Sequence, residues 1–237
     1  ISRGWADEPV VDTVLRCQAN LVELLAQGCT HVRDLAASHQ LSLQLRDAVA
    51  AGRMSGPSIS AAGMPIAAAG RASRSYPVRP SRGADEARGH ARELLAEGVD
   101  VSSVAVTSGA ATDGWQQLTE AEVAAVTDEA HRAGKKVAAV CVGAQGARVA
   151  VAAGVDSVEH GVSIDDETLE LRAKRGMALV PTLRILERFG SRPADYGVPA
   201  EAVAKMPGLY RTALDTVSRA VRAGVAIAAG TDRHLGE

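Results

Sequence analysis

An aspartate and a histidine stand where chemistry is easiest to build. Asp232 closes the apolar run Val225-Ala226-Ile227-Ala228-Ala229-Gly230-Thr231, and His160 closes Ser157-Val158-Glu159, with Gly161 directly after it. A carboxylate is costly to bury without a partner. An imidazole can hold a metal or move a proton near neutral pH. In a parallel barrel the C-terminal strand ends converge on one face, and that face holds the active site. Delivered there from two strands, Asp232 and His160 would be a pair of metal ligands, or a base and an acid. If burial removes Asp232 from water, it becomes a general base with a raised pKa. A lone histidine at a strand end is also an ordinary core residue, and both readings stay open for His160. Asp34 ends another strand, but its neighbour Arg33 offers a plain ion pair.

Other motifs say less. No glycine-rich phosphate cradle stands between a strand and a helix, and no G-x-S-x-G nucleophile elbow occurs. Gly143-Ala144-Gln145-Gly146 follows a strand and could meet an anion at a helix N-terminus, although such turns use glycine routinely. His31, His39, His90 and His131 have surface contexts, whereas His234 lies two residues past Asp232. Cys17, Cys29 and Cys141 are widely spaced and odd in number. They read as buried thiols in a reduced, cytoplasmic setting rather than as a disulfide framework.

The elements that must position these residues alternate. Apolar positions in 10–26 follow helical spacing, and helices are also expected over 41–54, 84–98, 119–134, 144–154 and 165–176, with a longer helical stretch, broken near Pro207, running to 224. Seven short runs read as strands, at 29–35, 58–63, 101–106, 136–142, 157–161, 178–183 and 225–232. Each is apolar on consecutive positions, the pattern of a parallel sheet covered by helices. Residues 67–83 break the rhythm as a Gly-, Ser-, Pro- and Arg-rich loop. Its Arg71, Arg74, Arg79 and Arg82 read either as solvated charges or as a lid for an anionic group. Seven strand–helix units are one short of the eight that close a barrel. The sequence opens with a helix, so the strand in question is the first.

Composition bounds the partners. The 237 residues suit one large α/β domain. With 46% hydrophobic but only 3% aromatic residues, the core is built from Ala, Val and Leu. A net charge of −2 gives no field for nucleic acid or an anionic membrane, and no apolar run approaches a membrane span. The expected partner is a small-molecule substrate. An opened barrel has two free sheet edges, which favours a homo-oligomer. Ile1 is not an initiator Met, so the natural chain is expected to start earlier or to have been trimmed.

Several segments together resemble the amidohydrolase superfamily, in its imidazolonepropionase-like and Xaa-Pro dipeptidase-like branch. They are Gly28-Cys29-Thr30-His31-Val32-Arg33-Asp34-Leu35, the stretch 45–53 with Gly56-Pro57, Leu118-Thr119-Glu120, the stretch 129–137, Gly154-Val155-Asp156-Ser157-Val158-Glu159-His160-Gly161, Leu179-Val180-Pro181-Thr182-Leu183 and Gly230-Thr231-Asp232. The resemblance runs in order through nearly the whole chain. It implies a (β/α)8 TIM-type barrel of the metal-dependent hydrolase kind with the first strand missing, as a single domain over 1–237 that is incomplete at both ends. It implies hydrolysis of amide, peptide-like or cyclic amide C–N bonds by water activated on one or two divalent metals, usually zinc. Position by position, His160 and Asp232 fall on metal-ligand positions, with Asp232 also the proton shuttle. Ser103 falls where the family often carries a lysine, and Val140 and Val142 fall where it carries histidines. The first-strand H-x-H pair has no counterpart. By alternation Cys141 faces the helices when Val140 and Val142 face the site. The implied cofactor is one divalent metal, zinc first, or none in this chain. Three readings follow: a hydrolase with a reduced metal site, a barrel that has lost hydrolysis and acts by binding, or a metal-free lyase or isomerase using Asp232 and His160.

Overall fold

The computed structural model describes residues 9–37, 40–70, 77–109 and 115–232. The strands are β1 (His31–Asp34), β2 (Ser58–Ala61), β3 (Ile66–Ala68), β4 (Arg79–Ser81), β5 (Val101–Ala105), β6 (Lys136–Cys141), β7 (Ser157–His160) and β8 (Ala178–Val180). Every ladder between them is parallel. One sheet pairs β1 with β2, and the other runs β4-β3-β5-β6-β7-β8. The two are stitched at Asp100. Its N–H donates to the Ala61 carbonyl at 2.8 Å, and its carboxylate accepts the Ala61 N–H at 3.0 Å. Beyond β8, Ile227 forms a parallel bridge with Leu179.

All seven expected strand positions are therefore extended and parallel, the last of them as a bridge rather than a full strand. The expected loop 67–83 is corrected at its ends, where β3 and β4 pair in parallel. The same region places Arg79 against Glu93 and Glu97, and Arg82 against Glu86. These partners account for both cations locally, so neither supports an anion lid. Arg71 and Arg74 lie outside the described residues, as do His39 and His234.

The helices are α1 (Val10–Ala26), α2 (Leu41–Ala50), α3 (Ala84–Glu97), α4 (Glu120–Arg132), α5 (Ala144–Ala152), α6 (Asp166–Arg175), α7 (Leu183–Ser191), α8 (Ala200–Val203) and α9 (Met206–Arg222). Local chemistry sets their starts. Thr119 and Glu122 form a reciprocal capping box on α4, and Asp165 caps α6 by accepting from the Thr168 N–H at 2.9 Å. Pro207 sits in the first turn of α9, where a missing N–H costs nothing, so it opens that helix instead of breaking a longer one. Among the described residues no helix is long and apolar enough to cross a membrane.

Alternation sorts the strand residues. Ile59, Ala61, Val104, Val137, Ala139, Cys141, Val158 and Leu179 join one apolar layer with residues of α2, α3, α4, α5, α6 and α9. Burial there pushes the Cys141 thiol pKa far up, so Cys141 is a core thiol on the helix side. Arg172 of α6 is fully buried in the same layer and gives one N–H to the Ala178 carbonyl, while its Nε and Nη1 have no partner among the described residues. On the opposite sheet face Ala62, Val101 and Ala138 pack together.

One ion pair shows that the sheet curls. Arg33 of β1 reaches Glu159 of β7 at 2.7 Å and Ser157 at 3.0 Å. Flat, these strands would lie four spacings apart, about 19 Å. Direct contact requires the inner face to close on itself, as in a (β/α) barrel. The arc is open between β1 and Ile227, where no described strand stands.

Candidate functional site

Parallel strands end on one side, so the residues that follow β7, β8 and the Ile227 segment gather at one end of the arc. Three of them share an uncommon backbone. Among the described residues, the non-glycine positions with positive φ are His160 at +64°, Thr182 at +41° and Asp232 at +52°. Such conformations are uncommon outside glycine, and for a β-branched threonine they are true outliers. Each costs on the order of 1–3 kcal/mol and persists only where the surroundings impose it. Here they fall at three successive strand ends.

Contacts link His160 to Thr182, and Thr182 to the segment that leads to Asp232. His160 is half-buried, and its Nδ1 lies 2.6 Å from the Thr182 hydroxyl. Thr182 is buried and heads α7, yet its side chain makes no capping bond. Its methyl packs on Gly230, where a Cβ would come within 3.3 Å of it and within 2.4 Å of Val180 Cγ1. Gly230 is thus a close-approach glycine that brings the chain, and Asp232 two residues on, up against β8. Asp232 itself is exposed, which corrects the expectation of a buried general base. The physical reason is its strand: among the described residues 226–229 joins the sheet by a single bridge to Leu179 and stays open to solvent. Thr182 was not singled out by sequence reasoning. The available signal was a threonine directly after Pro181, at a strand end between the two named residues.

Below this end the inner face is polar but closed on itself. Glu159 is buried, accepts from Arg33, and takes the Ser157 hydroxyl at 2.7 Å. Arg33 therefore pairs with Glu159 and not with Asp34, because neighbouring strand residues point to opposite faces. Asp34 instead accepts the Ala36 N–H at 3.2 Å, and desolvation holds its carboxyl pKa above the usual range. On β1 and β2, His31 sits between the hydroxyls of Ser58 and Ser60, at 2.8 and 3.2 Å. The glycine-rich start of α5 serves packing: a Cβ on Gly146 would meet Thr107 Cγ2 at 2.1 Å, so that glycine admits Thr107, which gives it a role independent of any anion.

The donor set does not fit a metal centre of the kind the resemblance implies. Ser103 is buried on β5, offers a neutral hydroxyl, and has no partner among the described residues. Val140 has no donor, and Val142 packs with Val162, Ile185, Leu186 and Phe189. Cys141 faces the helices. Among the described residues no three His, Cys, Asp or Glu side chains group so as to hold a metal ion, and structural or catalytic zinc takes at least three protein ligands. Among the described residues, His160 and Asp232 are the positions of the resemblance's ligand set that keep a ligand-type side chain.

The Amidohydrolase family model matches residues 8–236. The chain belongs to the amidohydrolase family. Ochratoxinase of Aspergillus niger is 28% identical over 242 residues, covering 90% of this chain and 50% of that protein. A crystal structure of an amidohydrolase is 30% identical with a TM-score of 0.86, covering 96% of this chain and 60% of the other. A Xaa-Pro dipeptidase with methionine bound in its active site is 30% identical with a TM-score of 0.81, over 98% and 63% of the two chains. The amidohydrolase chain thus spans between half and two thirds of these relatives.

Proposed function

We propose that this amidohydrolase chain carries the reacting end of a hydrolase for amide or peptide-like C–N bonds, with Asp232 as the proton acceptor and His160 beside the substrate carbonyl. The observation that carries this reading is the concentration of left-handed, non-glycine backbone at His160, Thr182 and Asp232. Ochratoxinase and the Xaa-Pro dipeptidase among the relatives support the bond class. In the reaction, water oxygen bonds to the carbonyl carbon as its proton passes to the Asp232 carboxylate. The C–N bond then breaks, and the nitrogen takes that proton from Asp232. His160 Nε2 donates to the carbonyl oxygen as negative charge develops there.

A second reading has its own support. Val140, Val142 and Ser103 stand at positions where the resemblance implies ligands, which favours a barrel that binds small molecules without cleaving them. One experiment separates the two. The protein is screened on N-acyl amino acids, dipeptides and cyclic amides, and the best substrate is then tested with Asp232→Asn. That change keeps shape and removes the proton acceptor, so the expected loss in kcat is at least about a hundredfold. Wild-type rates in Asp232→Asn refute the assignment. Saturable binding with no turnover in the wild type favours the second reading.

A further inference from the structure

At the opposite end of the strands from His160 and Asp232, another histidine stands between two hydroxyls. His31 opens β1, with its Nδ1 2.8 Å from Ser58 Oγ and its Nε2 3.2 Å from Ser60 Oγ, both on β2. We infer that Ser60 and His31 form a nucleophile–base pair that takes the acyl group of small aryl esters, with Ser58 as the residue that orients the imidazole and Arg33 as the cation beside the reacting oxygen. This pair is separate from the amide-cleaving end and does not rest on it.

Counting donors gives the direction of each hydrogen bond. The Ser58 hydroxyl donates to the Thr30 carbonyl at 3.1 Å, so its oxygen accepts the Nδ1–H of His31. Nε2 then offers its lone pair to the Ser60 hydroxyl. In that arrangement every donor of the cluster has an acceptor. Reversed, Ser60 accepts from Nε2–H, and its own hydroxyl proton meets no acceptor among the described residues. A base within hydrogen-bond reach of a hydroxyl, itself held by a third group, is the arrangement that activates a serine.

The sheet supplies the rest. β1 and β2 pair in parallel with His31 opposite Ser58 and Arg33 opposite Ser60, so all four side chains share a face. Because Arg33 reaches Glu159 and Ser157, that face is the inner one. Paired strands stand about 4.8 Å apart, so the Arg33 side chain leaves its strand directly beside Ser60. His31 and Ser58 are exposed and Ser60 is half-buried, which lets a small reagent reach the hydroxyl. The same openness sets the substrate class. A charge in contact with water stabilises a developing oxyanion less than donors in a dry pocket do. The pair therefore suits esters whose leaving group departs readily, as a phenolate does.

In the reaction, Ser60 Oγ bonds to the ester carbonyl carbon as its proton passes to His31 Nε2. The C–O bond to the phenol breaks, and the phenolate oxygen takes that proton. A water then gives a proton to Nε2 while its oxygen bonds to the acyl carbon. The bond to Oγ breaks, the proton returns to Oγ, and the carboxylic acid leaves.

The test treats the protein with p-nitrophenyl acetate and, separately, with a fluorophosphonate, in which Oγ displaces fluoride from phosphorus. Peptide mass spectrometry locates the adducts. The expected result is an acetyl or phosphonyl group on Ser60, formed at least about a hundredfold faster than in His31→Gln. Ser58→Ala slows acylation roughly fivefold, and Ser58→Thr, which keeps the hydroxyl, restores it. Thermal melts confirm that each variant is folded. A wild-type protein with no adduct on Ser60, or with adducts only on lysines or other serines, overturns the inference and needs no variant to fold. So does a folded His31→Gln protein labelled at the wild-type rate. Because the adduct is read by its position, the outcome is independent of whether the chain cleaves amides.

Discussion

Gly230→Ala is the change that tests how the site is held. A Cβ at 230 would stand 2.4 Å from Val180 Cγ1 and 3.3 Å from Thr182 Cγ2. Carbon pairs rest at about 3.5–4.0 Å, so one partner must give by about 1.1–1.6 Å. Val180 is buried at the end of β8, and a β-branched side chain has few other rotamers to adopt. Overpacking of this kind costs about 1–3 kcal/mol. For a chain of this size that is a fall of about 2–12 °C in melting temperature. The alternative to moving Val180 is to lift the 226–232 segment off β8, which carries Asp232 outward. A displacement near 1 Å at a reacting group costs about a hundredfold in rate. The assay is a urea melt and a kcat measurement on Gly230→Ala, Val180→Ala and the double variant. Removing the Val180 methyls makes room, so the double variant should be more stable than the sum of the single losses, by about 1 kcal/mol or more. Strict additivity, or a Gly230→Ala protein as stable and as fast as wild type, would refute the packing argument and with it the account of how Asp232 is placed.

Three further outcomes are expected. Arg33→Met leaves the buried Glu159 without its cation and should cost about 2–4 kcal/mol in a urea melt, whereas Arg33→Met with Glu159→Met should recover much of it; a neutral single variant would show that the pair does not span the arc. Arg172→Met removes a buried cation whose pKa burial lowers to about 10 and whose Nε and Nη1 lack partners among the described residues, so it should raise the melting temperature, and a fall would show that the charge is compensated. Glu129 is held near pKa 2 by Arg92 and Arg88. A depressed carboxylate contributes stability that is fully present above its unfolded pKa near 4.5 and is lost as pH falls toward 2. Glu129→Gln should therefore lower stability at neutral pH and flatten the stability–pH curve between those values, and an unchanged curve would count against the network.

Much of the architecture was legible in the residues themselves. Apolar runs spaced by amphipathic helices specify a parallel sheet under a helical layer, because a strand buried on both faces has no polar side to alternate with. The capping box at Thr119 and the apolar stripe of 10–26 placed α4 and α1 at their observed starts, since caps and helical spacing are local chemistry. Alternation alone put Cys141 on the helix side. His160 and Asp232 were likewise visible as polar residues closing apolar strands. What lay outside local reach was set by long-range geometry. Arg33 chose Glu159, 126 positions away, over its neighbour Asp34, because a strand sends adjacent side chains to opposite faces and the curled sheet brought β7 within reach. Of the strands at the ends of 67–83, β3 depended on β5 for its partner edge and β4 on β3, pairings that no local composition encodes. Thr182 acquired its place only when β7, β8 and the Ile227 segment lay side by side, so that one hydroxyl met His160 and one methyl met Gly230. Sequence fixes which groups a chain can offer and the period on which it offers them. Which groups meet, and in which backbone conformation they are held, is decided by the closing of the sheet.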